Sequence, residues 1–535
     1  MQTVSENWKN AHKQTLLNES FVEVSLDVTD PDALADASSQ DNGAVYISDT
    51  SQVVSEVDRE ITPYCTLEQN LWLLDGGLKA IPESNNGESG YVGDVLSNDV
   101  CVFSDKIPTV TINFTKVFTN SIPGITITWS SAYGEFADNF VVTAYNGYTP
   151  VATKEVIGNR SVKSLVMVDI VNYDRIVIQV KKWCLPYHRA RIEEIFVGMN
   201  KVYSKSDIFD YSHKQSVDPL SLSLPKTEIK FSIDNVEGEY NPLNEEGMAK
   251  YLMERQEIKT RYGLKLSDNT TEWIKGGTFY LSEWGAKQNG LTADFTARDL
   301  LEFMSDIYED SITEIKERSL YELAENILRT SKLPLNSDGT VKWVIDASLL
   351  SITTTAPLPE DTRANCLQLI ANAASCVLYQ DRTGTLRIER LLNDPEDYAI
   401  NSFNSYSKPE ITLSKPIKGV MVKQYTYAMS DDGIKSTVKK IGYPTTIPSD
   451  STGDVIEIDN PLVTYEPHAL SIASGLYTRL KHRTTFDLSW RADVRLDALD
   501  IITNENRYSE NNVRVTEVEF KYNGAFRGTA KGMVI

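Results

Sequence analysis

The sequence predicts a mainly β protein with α+β parts: two β-barrels, an inserted jelly-roll β-sandwich and a helix-plus-hairpin domain. Three observations predict this. Runs such as Ser20-Phe21-Val22-Glu23-Val24-Ser25-Leu26 and Glu228-Ile229-Lys230-Phe231-Ser232-Ile233 alternate polar and apolar residues with period two. From Thr109 to Phe196, short β-branched runs recur with Pro-Gly and Asn-Gly turns between them. Helical spacing is confined to a few stretches, chiefly those opening near Ser319, Asp361 and Glu466.

At 535 residues the chain is too long for one hydrophobic core and is expected to divide. The expected units are 1–68 (first barrel, N-terminal part), 69–198 (inserted sandwich), 199–304 (first barrel, continued), 305–405 (helix-hairpin domain) and 406–535 (second barrel). Residues 1–68 read as short strands, including Ala44-Val45-Tyr46-Ile47, joined by polar loops. Asp27, Asp30, Asp32 and Asp36 lack the spacing of an EF-hand loop, so a solvated acidic loop is expected there and no metal site. In the sandwich, Trp129 shares parity with Ile125 and Ile127 and is expected in the core.

The barrel resumes near residue 199. After the strand at 228–233, Tyr240-Asn241-Pro242-Leu243-Asn244 reads as a turn cluster and Glu246 to Arg255 as a short helix. Gly277 to Trp284 and Leu291 to Ala297 form a hairpin about Asn289-Gly290, and Arg298 to Met304 opens a helix expected to plug the barrel. Ser319-Leu320-Tyr321-Glu322 is a capping box ahead of an apolar face at Leu320, Leu323, Ala324, Ile327 and Leu328. A second helix from Asp361-Thr362 feeds the hairpin Val377–Gln380 and Leu386–Leu391. Asp381 and Arg382 are read as turn residues beside Gly384. The last unit contains strands from Glu410 and Gly419, a helix from Glu466 with Pro467 in its first turn, and a closing hairpin about Asn523-Gly524. Ser282-Glu283-Trp284 precedes its turn as Thr516-Glu517-Val518 precedes the last one. Thr296-Ala297-Arg298 is matched to Thr529-Ala530-Lys531, so the two hairpins read as an internal repeat.

Four phrases carry a family resemblance: Phe231 to Asn235, Tyr240 to Asn244, Gly277 to Trp284 and Thr296 to Asp299. They resemble tail-tip or baseplate hub proteins of phages and prophages of Gram-positive bacteria, as do Tyr64 to Gly76 and the closing strands. The order of strands in 69–198 resembles a galactose-binding-like (discoidin-type) domain. The resemblance implies a virion structural protein, located in the tail and assembled in the bacterial host cytoplasm. It implies a homotrimer whose partners are the tail tube or distal tail protein, the tape measure protein and the central spike or fibre proteins. Two hub-type barrels per chain would give such a trimer six similar barrels, matching a six-fold tube. A host surface glycan is a further implied partner, with Tyr91, Tyr133, Tyr148, Tyr187 and Arg189 as the candidate carbohydrate-binding residues. The competing reading is a carbohydrate-binding adhesin.

Charge and motif content narrow the alternatives. The formal net charge is −22, and the first hundred residues hold 18 acidic against 4 basic side chains, the wrong balance for sequence-specific nucleic-acid binding. No apolar run approaches the roughly 20 residues of a membrane span, and the N-terminus has no basic and apolar leader, so no secretory signal is expected. The Asn-x-Ser/Thr matches are accordingly given no meaning. Cys65, Cys101, Cys184, Cys366 and Cys376 are scattered and odd in number, which predicts reduced thiols and no zinc site. No GxSxG, HExxH, Walker or GxGxxG pattern occurs, so no catalytic residue and no cofactor is assigned. A cell-wall glycosidase needs only two carboxylates and is the remaining enzyme alternative. The chain ends directly after the second barrel, where no separate wall-degrading domain is expected.

Overall fold

A computed structural model describes residues 1–14, 19–54, 61–72, 76–80, 89–287, 290–310, 315–336, 340–396, 398–430, 433–447, 452–505 and 510–535. Asn289 of the expected turn and Leu73 to Asp75 lie outside the described residues. Among the described residues, thirteen strands form one continuous sheet, the spine, numbered here in chain order. They are β1 (Ser20–Val28), β2 (Met199–Tyr203), β3 (Ile208–Ser216), β4 (Lys226–Asp234), β5 (Glu257–Lys265), β6 (Thr271–Lys287) and β7 (Thr292–Arg298). Then follow β8 (Ala399–Ile400), β9 (Glu410–Leu413), β10 (Thr484–Trp490), β11 (Ile501–Glu505), β12 (Glu510–Tyr522) and β13 (Phe526–Val534). Their order across the sheet is β2-β1-β5-β6-β7-β4-β3-β12-β13-β10-β9, with β11 on β12 and β8 on β11.

This order contains a repeat. In the first half, β3 to β7 lie in the order β5-β6-β7-β4-β3. In the second, β9 to β13 lie in the order β11-β12-β13-β10-β9, so each position has a counterpart of the same rank along the chain. Each hairpin also carries a bulge at the same place. Ser282 is the extra residue between Leu281 and Glu283, and Thr516 is the extra residue between Val515 and Glu517. The ladders correct the match drawn from sequence on the return strand. Glu283 faces Thr296 and Glu517 faces Lys531, so the counterpart of Thr296-Ala297 is Lys531-Gly532, not Thr529-Ala530. A turn one residue longer in the second hairpin accounts for one residue of the two-residue slip: Lys287 pairs with Thr292, but Lys521 pairs with Arg527.

The barrel expectation is corrected in one respect. Among the described residues neither half closes on itself; the halves join edge to edge where β3 pairs with both β4 and β12. One core serves both, because alternate residues of the spine strands other than β9 point to the same interior. Tyr262 of β5 packs at 5.2 Å from Phe526 of β13, and Trp490 of β10 lies 6.3 Å from Phe520 of β12. The expected plugging helix is a five-residue 3-10 turn, Leu300–Met304, capped by Asp299. The helix expected over 246–255 is likewise a short 3-10 turn, Met248–Tyr251, after the Tyr240–Asn244 turns.

The sandwich leaves the spine after β1. Its larger sheet has the order Ser38–Asp41, Thr109–Phe118, Tyr173–Trp183, Ala137–Asn146, Thr149–Ile157. Glu194–Phe196, Ile122–Thr128 and Lys163–Ile170 form a second sheet, and Tyr91–Leu96 pairs with Arg189–Ile192. Trp129 is fully buried between them, edge-on to Phe140 and Trp183, as its parity predicts. The boundary expected at residue 69 lies instead near residue 30. Strand Ser38–Asp41 pairs with Thr109–Phe118, and Ala33 and Val53 are part of the sandwich core. Ala44 to Ile47 form no strand; Ala44 makes one isolated bridge to Gly93.

The helix-hairpin domain contains helices Leu320–Thr330 and Arg363–Ala373, capped by Ser319 and Thr362 as the sequence signals require. They pack on strands Val377–Gln380, Leu386–Glu389 and Trp343–Ile345. Residues 417–480, expected in the second barrel, are a separate layer between β9 and β10. Strands Ile417–Ser430, Gly433–Tyr443 and Asp454–Ile458 carry helix Glu466–Leu480 over a core of Val420, Val422, Ile472 and Leu476.

Candidate functional site

The sandwich end that carries the Ala137 and Trp183 strand termini holds the densest buried charge cluster of that domain. Glu68 lies on the segment between strands Ser38–Asp41 and Tyr91–Leu96 and is buried against Arg191. Arg191 Nη1 donates to Glu68 Oε2 at 2.9 Å and Nη2 donates to Glu68 Oε1, a two-point contact. Thr66 Oγ1 and the Arg189 N–H also donate to Glu68, at 2.9 and 2.8 Å. Burial opposes the Glu68 charge, yet Arg191 and these donors hold its carboxyl below the usual range. Glu135, also buried, accepts from Trp183 Nε1 at 2.7 Å and lies 2.8 Å from His188 Nδ1. Burial works against the imidazolium, but Glu135 raises the His188 pKa above its ordinary value.

The five candidate carbohydrate residues do not share one surface. Tyr91 is buried in the sandwich core. Tyr133 stacks over Arg191, with its ring centroid 4.8 Å from the guanidinium, and its hydroxyl donates to the Tyr64 carbonyl at 2.9 Å. Arg189 donates from Nη1 to the Gly93 carbonyl at 3.2 Å. Tyr187 is half-exposed near the same end, with a positive φ of 57°. Tyr148 is almost wholly exposed, but it sits in the turn between Asn146 and Thr149, at the opposite end of the strands. The polar groups that would grip a sugar are bound to one another, and the cluster acts as a clamp holding residues 64–68 over the sandwich end.

Asp27, Asp30 and Asp36 also have structural partners. Asp30 caps helix Pro31–Asp36 by accepting from Asp32 and Ala33, and Asp36 accepts from the Thr115 N–H at 2.7 Å. Asp27 accepts from Asn200 at 2.5 Å. No group of three or more metal-ligating side chains gathers among the described residues.

A cavity of about 700 Å³ lies where the sandwich, the spine and the helix-hairpin domain meet. Its walls include Glu193, Glu23, Arg261, Glu257 and Lys342. Four of these charges are paired: Arg261 with Glu23 at 2.5 Å and Lys342 with Glu257 at 3.2 Å.

The seam between the halves is pinned by a pair that sequence reasoning missed. Arg382, read as a turn residue, is buried and donates from Nε to Asp497 Oδ1 at 2.6 Å. It also donates to the Leu496 and Lys275 carbonyls, spanning both halves of the spine. Asp381 does behave as a turn residue, accepting from the Thr383 and Thr385 N–H groups. No local signal marks Arg382, because its partner is 115 residues away. His213, at the centre of the seam, lies 2.7 Å from the Tyr262 hydroxyl and against Phe279.

No family model and no curated protein matches the chain. Among solved structures, the chain is similar to a 43 kDa tail protein of prophage MuSo2 from Shewanella oneidensis. The identity is 12%, the TM-score is 0.40, and the match covers 63% of this chain and 95% of that one. A tail protein from Neisseria meningitidis MC58 matches at 10% identity and TM-score 0.40, over 63% of this chain and 93% of that chain. Prophage tail protein gp18 from Listeria monocytogenes EGD-e matches at 10% identity and TM-score 0.40, over 63% and 91% of the two chains.

Proposed function

We propose that this chain is the hub at the distal end of a phage tail or tail-like particle, assembled in the host cytoplasm. It acts as a trimeric adaptor joining the six-fold tail tube or distal tail protein to the central spike or fibres. The observation that carries the reading is the repeated five-strand unit, with the same spatial order and the same bulge at Ser282 and Thr516. Three copies of a chain with two equivalent units present six, so a three-fold assembly offers a six-fold seat. Three of the phrases that resemble hub proteins fall on strands of this unit: Phe231 to Asp234 on β4, Gly277 to Trp284 on β6, and Thr296 to Arg298 on β7. The reading assigns no catalysis, and it leaves out a glycan contact because the exposed Tyr148 and Tyr187 stand at opposite sandwich ends. Two measurements test it. Native mass spectrometry of the purified chain should give three copies, and gold-labelled antibody should mark the distal tail tip of particles from producing cells. Label along the tube, on the head, or on no particle overturns the reading.

A further inference from the structure

The repeat leaves two strand edges without a partner that their counterparts possess. Within the chain, β3 runs antiparallel to the C-terminal part of β12: His213 faces Phe520, Gln215 faces Val518 and Ser216 faces Glu517. The counterpart of β3 is β9, and the counterpart of β12 is β6. The outer edge of β9 pairs with no strand among the described residues, and neither does the β6 edge beyond Leu281 on the side away from β7. Ile411 and Leu413 on β9 are 52% and 63% exposed. An apolar edge strand left open is a template for pairing with another chain.

The ladders fix which residues correspond. Ala297 faces Ile229 as Gly532 faces Phe486, and Ile229 faces His213 as Phe486 faces Ile411, so Ile411 stands where His213 stands. By the same route Leu413 stands for Gln215, facing Thr484 as Gln215 faces Thr227. The shared bulge aligns Trp284 with Val518, Ala286 with Phe520 and Lys287 with Lys521. In the seam, His213, Gln215, Val518 and Phe520 are all buried. Their counterparts Ile411 and Leu413 are exposed, and Trp284 and Ala286 only half-buried.

We propose that β9 of one copy pairs antiparallel with residues 283–287 of β6 in a second copy. Leu413 then lies opposite Trp284, Ile411 opposite Ala286 and Glu410 opposite Lys287. The pairing rests on the hub reading, whose ring of six units it would close by repeating the internal β3–β12 seam between copies. Side-chain chemistry supplies a check that did not enter the alignment. The transferred register sets two apolar residues against apolar ones and an acid against a base, the combinations that stabilise cross-strand pairs. The contact is head-to-tail, so it closes into a ring or propagates according to its rotation.

The test uses the full-length chain. Under mild oxidation, Ile411→Cys with Ala286→Cys should cross-link between copies beyond the background of the native cysteines. The out-of-register pair Ile411→Cys with Gly285→Cys should not. Ile411→Asp with Leu413→Asp should weaken self-association by roughly 100-fold, from two apolar side chains no longer buried. The melting temperature of the single chain should hold, because both positions are solvent-facing within it. Cross-linking in both registers, or association untouched by the aspartates, overturns this pairing while a tail-tip antibody label would leave the hub reading standing. A wild type that stays single at its highest soluble concentration overturns the pairing too, and the antibody label then decides the hub reading separately.

Discussion

His213 shows how much one side chain in the seam controls. It is fully buried, with Tyr262, Phe279 and Phe520 around it, and burial, reinforced by the Arg382 charge, lowers its pKa to about 3. The folded imidazole is therefore neutral, whereas an unfolded one titrates near 6.5. A depressed base destabilises the fold as pH falls below its unfolded pKa, because only the unfolded chain takes up the proton. Between pH 7 and pH 5 that difference amounts to about 2 kcal/mol. His213→Gln should remove it. Hydrogen exchange across β3, corrected for intrinsic rates, should show the wild type losing about 2 kcal/mol more opening energy than the variant over that interval. Equal pH slopes would mean His213 does not titrate this way. The sequence left His213 as either a surface or a satisfied histidine, since no ligand-spaced partner stands near it, and the structure puts it in the core. Arg382 was not legible: a turn motif explains Asp381 locally, and nothing in a short window points to Asp497.

Elements with local chemistry were readable, and elements decided by pairing were not. Ser319 and Thr362 each accept from an N–H three residues on, so both helices of the third domain begin where their caps predict. The 3-10 turn at Leu300–Met304 has a good cap in Asp299, but no apolar face continues beyond Met304 to extend it. The repeat was visible in the spacing of Ser282-Glu283 and Thr516-Glu517, although its return strand was matched two residues out of place. Both alignments keep the same faces inward, which is why patterning alone could not choose between them. The bulge itself is a sharper marker. Because Thr516 is the extra residue, removing it would leave the β12–β13 pairs and the inward faces of Val515, Val518, Phe520 and Tyr522 as they are, whereas removing Glu519, which faces Thr529, would turn Phe520 and Tyr522 from core to solvent. Deletion of Glu519 should therefore leave the chain insoluble or molten by near-ultraviolet circular dichroism, whereas deletion of Thr516 should keep a native spectrum. A Glu519 deletion with native dichroism would show that this register does not hold Phe520 and Tyr522 in the core.

At the scale of the molecule, chain order and domain order part company, and the sandwich gives the clearest test. Its sequence texture changes near residue 69, where strand-rich segments begin, and composition alone places the boundary there. The structure moves that boundary because residues 30–68 supply parts no local pattern reveals. Helix Pro31–Asp36 places Ala33 in the core, Ser38–Asp41 forms the edge strand of the larger sheet, and Val53 packs beneath it. Glu68 neutralises the buried guanidinium of Arg191. A fragment of residues 69–198 lacks all of the apolar pieces and that carboxylate, and removing one partner of a buried ion pair costs about 3–5 kcal/mol. Loss of the edge strand also exposes the ladder of Thr109–Phe118 to other chains. A fragment of residues 30–197 keeps every one of these contacts. Expressed separately, 30–197 should be soluble, monomeric and cooperatively melting, whereas 69–198 should aggregate. In the longer fragment, Glu68→Gln should lower the melting point markedly, because it leaves Arg191 buried without its counter-charge. Equal folding of the two fragments would show that residues 30–68 decorate the sandwich without completing it.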